Sequence, residues 1–185
     1  MVLRKVLCGL ATTATLAIAS SPHVQAQEQP FYRNGSWAVF KSQRMCTLLG
    51  TFQSDMSLYI SYEVTQNNAA LMIASERFTS INKGDSFRLN LSFIQNDKIV
   101  KNYEDLQFFG NRFLREPSVL HNFEGRKFLE EFATADVIGV SFPDHTILGS
   151  FRLNGAAGAI GALKRCARIE AGFGADDPFA DMPRR

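Results

Sequence analysis

The sequence predicts an α+β fold that is mostly antiparallel β, with two packed sheets in a sandwich-like arrangement, a mid-chain helix and a C-terminal helix. Three observations lead there. Several segments alternate apolar and polar residues, as strands buried on one face do. Short runs of turn residues separate them, where a parallel sheet would need long crossovers. Helical periodicity replaces the alternation around residues 124–136 and again after residue 154.

"SWAVFK" (36–41) opens the globular part as a short strand with Trp37 and Val39 on one face. In "MSLYISYEV", Met56, Leu58, Ile60, Tyr62 and Val64 point one way and Ser57, Ser61 and Glu63 the other. Asn67-Asn68 is turn chemistry, so "AALMIAS" reads as the returning arm of a hairpin. "SFRLNLSF" alternates Phe87, Leu89, Leu91 and Phe93 with Arg88, Asn90 and Ser92, and "QND" turns it into "KIVKNY". "LQFFGNRFL" (106–114) predicts a tight hairpin about Gly110-Asn111. "EGRKFLEEFATAD" predicts a helix with Phe128, Leu129 and Phe132 on its buried face and Glu130 and Glu131 nearer solvent. "VIGVSF" and "TILGSFRL" return to strand.

The segment "NGAAGAIGALKRCARIE" (154–170) raises a choice between a phosphate-cradling loop and a packing helix. A dinucleotide loop needs G-x-G-x-x-G, but Gly155, Gly158 and Gly161 stand three apart. A P-loop needs Lys-Ser or Lys-Thr after its last glycine, and Ala162-Leu163 stands there instead. Packing fits better. Asn154 is a suitable N-cap, and Ala156, Ile160, Leu163 and Ala167 recur at helical spacing. The three glycines are expected to give a side-chain-free strip against a sheet.

The first residues set the compartment. Arg4 and Lys5 precede the apolar stretch at 6–18, and Val24 and Ala26 are the small residues that a signal peptidase selects, so cleavage is expected after Ala26. The apolar stretch falls short of the roughly 20 residues that span a bilayer, and none later is longer. The expected layout is a signal peptide at 1–26, a polar lead-in at 27–35, a single β-rich domain at 36–169 and a flexible tail at 170–185. The expected location is periplasmic or secreted, with no transmembrane segment in the mature chain. Beyond the leader, 18 basic residues balance 18 acidic ones, since Arg4 and Lys5 account for the formal charge of +2. That balance argues against nucleic acid as a partner.

Cys8 leaves with the leader, so Cys46 and Cys166 remain. Two thiols in an exported chain most simply pair. The rival, a catalytic thiol, needs a basic neighbour, and only His121 and His145 lie beyond the leader.

Chemistry-bearing patterns are few. Adjacent Glu130 and Glu131 diverge on a helix, and Asp144-His145 sits in a turn after Pro143. Asp176, Asp177 and Asp181 lack the EF-hand pattern. No catalytic residue, metal ligand or cofactor is assigned. Asn34-Gly35-Ser36 and Asn90-Leu91-Ser92 match glycosylation sequons, which matter in a eukaryotic host. All 16 phenylalanines lie beyond the leader, and Phe108, Phe109 and Phe113 with Leu114 form the candidate interaction surface.

The segments "GSWAVF", "RMCTLLG" and "GSFRLNGAAGAIGALKRC" together resemble the invasion-associated locus B proteins and allied small secreted proteins of alphaproteobacteria. The resemblance implies a β-rich periplasmic or surface-associated protein and no defined reaction, and it carries over no functional residue. The expected function is a non-enzymatic binding protein that recognises a protein or a cell-envelope component through a strand edge or the aromatic hairpin. The second expectation is an inhibitor of an extracellular or periplasmic hydrolase, comparable to a lysozyme inhibitor. The third is an enzyme of unrecognised class.

Overall fold

The structure, a computed structural model, describes residues 29–42, 45–52 and 55–173. The expected leader and residues 174–185 of the expected tail lie outside them.

The chain runs β1 (Tyr32–Asn34), β2 (Trp37–Ser42), β3 (Met45–Thr51), β4 (Met56–Glu63), β5 (Asn68–Ser75), β6 (Ser86–Gln95), β7 (Lys98–Phe113), β8 (Glu116–Glu124), α1 (Gly125–Thr134), β9 (Val137–Ser141), β10 (Ile147–Arg152) and α2 (Ala156–Glu170). The strands form a single 10-stranded sheet in the order β1-β2-β3-β4-β5-β8-β7-β6-β9-β10, with every neighbouring pair antiparallel. The α+β class and both helices are therefore as expected; the two separate sheets are not. β8 is the reason. It pairs with β5 on one side and β7 on the other, which joins the first meander to the second.

The sheet rolls rather than splits. Bulges interrupt the register of β6 with β7 and of β10 with β9, and such bulges bend strands. The Phe151 ring on β10 meets Phe52, just beyond β3, at 4.9 Å, and Gly149 on β10 lies against the Met56 side chain of β4. The two ends thus face each other across one core. α1 and α2 fill the concave side: α2 packs on β1 to β4, α1 on β5, β6 and β8, and the helices on each other.

Local corrections follow from side-chain room. Gly110-Asn111 is not a turn, because both residues lie within the 16-residue β7. A Cβ at Gly110 would run into the Asn82 carbonyl oxygen, so glycine is required by a close backbone crossing. The turn itself is Leu114-Arg115, with φ of +50° and +76°. Tyr32–Asn34, expected as lead-in, is an edge strand on β2.

Asn154 does not cap α2. Gly155, left-handed at φ +83°, holds that position without a side-chain hydrogen bond, while the Asn154 carbonyl accepts the Trp37 indole N–H at 2.8 Å. The glycine strip is likewise corrected. Gly158 is exposed beneath the Tyr32 hydroxyl, and the residues buried against the sheet are Ala156, Ala159, Ile160, Ala162, Leu163 and Ala167. Alanine allows the same close approach without glycine's loss of helix propensity, about 1 kcal/mol per residue.

A disulfide joins Cys46 on β3 to Cys166 on α2, with Cα atoms 6.0 Å apart and both residues buried. It fastens the last helix to the first meander.

Candidate functional site

The convex face of the sheet has no helix on it among the described residues, and alternate residues along each strand build its surface. Tyr59 sits between inward-facing Leu58 and Ile60, so its ring points outward. Strand register then aligns one apolar row across five strands: Leu49 opposite Tyr59, Tyr59 opposite Met72, Met72 opposite Leu120, and Leu120 opposite Phe109. On one side runs Thr47, Ser61, Ala70 and Asn122; on the other, Ser57, Ala74, Ser118 and Asn111. None of these three rows contains a charge.

Part of the apolar row covers itself. Phe113 reaches across β8 and β5 to meet Tyr59 edge-on at 4.8 Å, and the small residues between them, Ala74 and Ser118, are fully buried. Burial first, and the nearby Glu116 carboxylate second, push the Tyr59 phenol above its ordinary pKa. What stays uncovered lies at the β7 end. Phe109 is 48% exposed, and Leu114, at the hairpin tip, is 74% exposed.

The four residues singled out in the sequence therefore divide. Phe108 is fully buried on the concave side, where it contacts the His121 ring at 5.2 Å. Phe109, Phe113 and Leu114 belong to the convex face and its tip. Missed in the sequence were Tyr59, Met72 and Leu120, whose signal was the outward phase of strands judged only by their inward residues.

The Leu114-Arg115 tip is strained. Left-handed backbone costs L-residues with ordinary side chains roughly 1–2 kcal/mol each, and Asn-Gly is the usual occupant of such a turn.

The remaining candidates lie elsewhere in the fold. Glu130 is exposed, whereas Glu131 accepts a 2.5 Å hydrogen bond from the Tyr103 hydroxyl, so the two carboxylates do diverge. His121 places Nδ1 2.8 Å from the Gln107 carbonyl oxygen and packs its ring on Phe108 and Phe123. Asp144 accepts the Thr146 backbone N–H at 2.9 Å, which is the main reason its carboxyl lies below the ordinary aspartate range. His145 takes φ +68° in the same exposed turn. Among the described residues, no three His, Cys, Asp or Glu side chains gather as a metal site would require; Asp176, Asp177 and Asp181 lie outside them. The Asn90 side chain is committed on both ends, donating to the Phe142 carbonyl and accepting from the Asp105 N–H, so that sequon is occupied by structure.

Tyr103 gives a testable pH effect. Burial, then the hydrogen bond to Glu131, raise its pKa well above the ordinary value. A phenol whose pKa is higher in the folded than in the unfolded chain contributes stability that is whole below the unfolded value, about 10, and is lost as pH rises beyond it. Tyr103→Phe should therefore flatten the decline in stability as pH rises above about 10, as measured by urea unfolding. An unchanged slope would contradict this assignment.

Comparison of the chain with protein-family models, with curated proteins and with solved structures gave no match.

Proposed function

We propose that this chain is an exported, non-enzymatic binding protein of the cell envelope, and that its partner is another protein, docked on the convex face around Phe109, Phe113 and Leu114. The observation that carries the reading is the pairing of exposed Phe109 and a strained, protruding Leu114 with a sheet face whose central rows bear no charge. Protein interfaces have this anatomy, with aromatic anchors set in a charge-depleted centre. Glu63, Glu116 and Glu124 on β4 and β8 and Arg88 on β6 stand at the rim of the same face, which favours a partner with a mixed-charge surface over an anionic membrane. Export is supported by the leader in the sequence and by the disulfide, a bond that persists in oxidising compartments.

The test uses the mature chain as bait in envelope extracts beside the variant Phe109→Asp/Leu114→Asp. Phe109 is half exposed and Leu114 largely so, so the variant should keep the wild-type circular dichroism spectrum, while a retained protein is lost by about tenfold or more, the scale of a modest hot spot. Equal retention by the two baits would refute the proposal. A second variant, Leu114→Asn/Arg115→Gly, relieves the turn. It should gain about 1–2 kcal/mol in stability and still bind more weakly.

The strained tip also favours a second reading, inhibition of an extracellular hydrolase by a rigid inserted loop. Lysozyme turnover of cell-wall substrate, with and without the mature chain, decides it: inhibition that Leu114→Asp abolishes would support the inhibitor.

A further inference from the structure

Among the described residues, β10 ends the sheet and pairs with β9 alone. Among the described residues, no backbone hydrogen bond joins the far side of Ile147–Arg152 to another segment. Alternate N–H and C=O groups of such a strand face outward and can template another strand. The opposite edge, β1, is protected by being three residues long and by lying beside α2. β10 has neither defence. It contains no proline or lysine, and Ile147 is 77% exposed.

A second observation falls at the same place. A crevice of about 180 Å³ opens between the β5–β6 loop and the start of β10, lined by Phe78, Ile81, Phe87, Leu89, Phe142 and Leu148, with Arg77 at its rim. Leu148 belongs to β10 itself, and Phe142 directly follows β9. The unpaired edge and an apolar hole with room for one large side chain are thus adjacent.

We infer that β10 and this crevice form a β-addition site for an extended segment of another protein, which pairs its main chain with Gly149–Arg152 and seats one aromatic or large aliphatic side chain beside Leu148. Main-chain pairing supplies affinity in this mode and the pocket supplies selectivity. Arg152 is exposed and makes no ion pair among the described residues, so it favours an acidic residue near the N-terminal end of an antiparallel segment. A second copy of this chain fits less well. Two-fold pairing of β10 with itself sets Ile147 against Arg152 and places opposite Leu148 the copy's Phe151, which is fully buried in its own core. A lipid has no main chain to satisfy the edge. The site is separate from the convex face and stands whether or not that face binds.

The probe is a synthetic heptapeptide, acetyl-ETVTFTV-amide, added to the full mature chain. Amide exchange by NMR should show the β10 amides protected on addition. N-methylation of the peptide's alternate amides on one edge should weaken binding by about tenfold or more, since it removes the main-chain donors that face β10. Replacing its phenylalanine by serine should do the same. Arg152→Glu should weaken the acidic peptide about three- to tenfold and restore binding to a peptide that begins with lysine. Unaltered β10 exchange at millimolar peptide, or equal binding of the methylated peptide, overturns the inference. So does a free chain whose β10 amides are already protected, whether through a concentration-dependent dimer or through its own residues 174–185. Protection confined to Phe109–Leu114 would also overturn it, while leaving the convex-face proposal intact.

Discussion

Replacing both Cys46 and Cys166 by alanine is expected to lower the stability of the fold by about 2–5 kcal/mol, the usual cost of losing the disulfide of a small secreted domain. The partners are 120 residues apart in sequence, so the bond closes nearly the whole domain into a loop. The chain-entropy treatment values such closure at about 5 kcal/mol, an upper figure because unfolded chains keep some structure. Domain stabilities are typically only about 5–15 kcal/mol, so the bond supplies a large share. The melting temperature should fall on the order of 10 °C. Urea unfolding of the alanine variant beside the wild type measures the difference. Both cysteines are 1% exposed, so reductant should act slowly on the folded chain and quickly once urea opens it. Coincident midpoints for variant and wild type would show that the bond contributes nothing.

Trp37→Ala should cost about 3–5 kcal/mol, the range for deleting a large buried aromatic. Trp37 is 2% exposed, meets Phe52 and Phe132 edge-on at 5.6 and 5.9 Å, and donates its indole N–H to Asn154. It therefore links β2, the β3 exit, α1 and the start of α2. Its cross-strand partner is Gly50, and a Cβ there would clash with the six-membered edge of the indole. Gly50→Ala should cost about 1–3 kcal/mol through overpacking. In combination with Trp37→Leu, which vacates that space, the added alanine should cost much less. A double-mutant cycle by urea unfolding measures the coupling, and strict additivity would mean that the two residues do not share the space. Circular dichroism is the readout, because the chain has only one tryptophan.

Period-two segments with ordinary turn residues were legible. β4, β5 and β6 and their turns fall where alternation and the Asn67 and Asn96-Asp97 pairs put them, and α1 shows its buried face in Phe128, Leu129 and Phe132. β7 and β8 misled because the turn chemistry and the turn are in different places. Gly110 answers to a backbone crossing, while the actual turn at Leu114-Arg115 carries residues that ordinarily avoid it. The single sheet was not legible at all. It depends on β8 choosing β5 and β7 together, a long-range pairing that leaves no periodic trace. At the candidate site, the phenylalanine-rich stretch was visible, but alternation alone could not say which ring faced inward. Phe108 and Phe109 are neighbours on opposite sides of the sheet, one fully buried and one half exposed.

The 120-residue interval between the bonded cysteines sets a schedule for biogenesis. A ribosome delivers Cys46 early, and its sulfur must wait unoxidised, or in transient mixed linkage to an oxidoreductase, until nearly all of the remaining domain has been made. The covalent step thus acts as a final latch. Its second half arrives only with the terminal helix, so a chain truncated before α2 would leave Cys46 without its native partner.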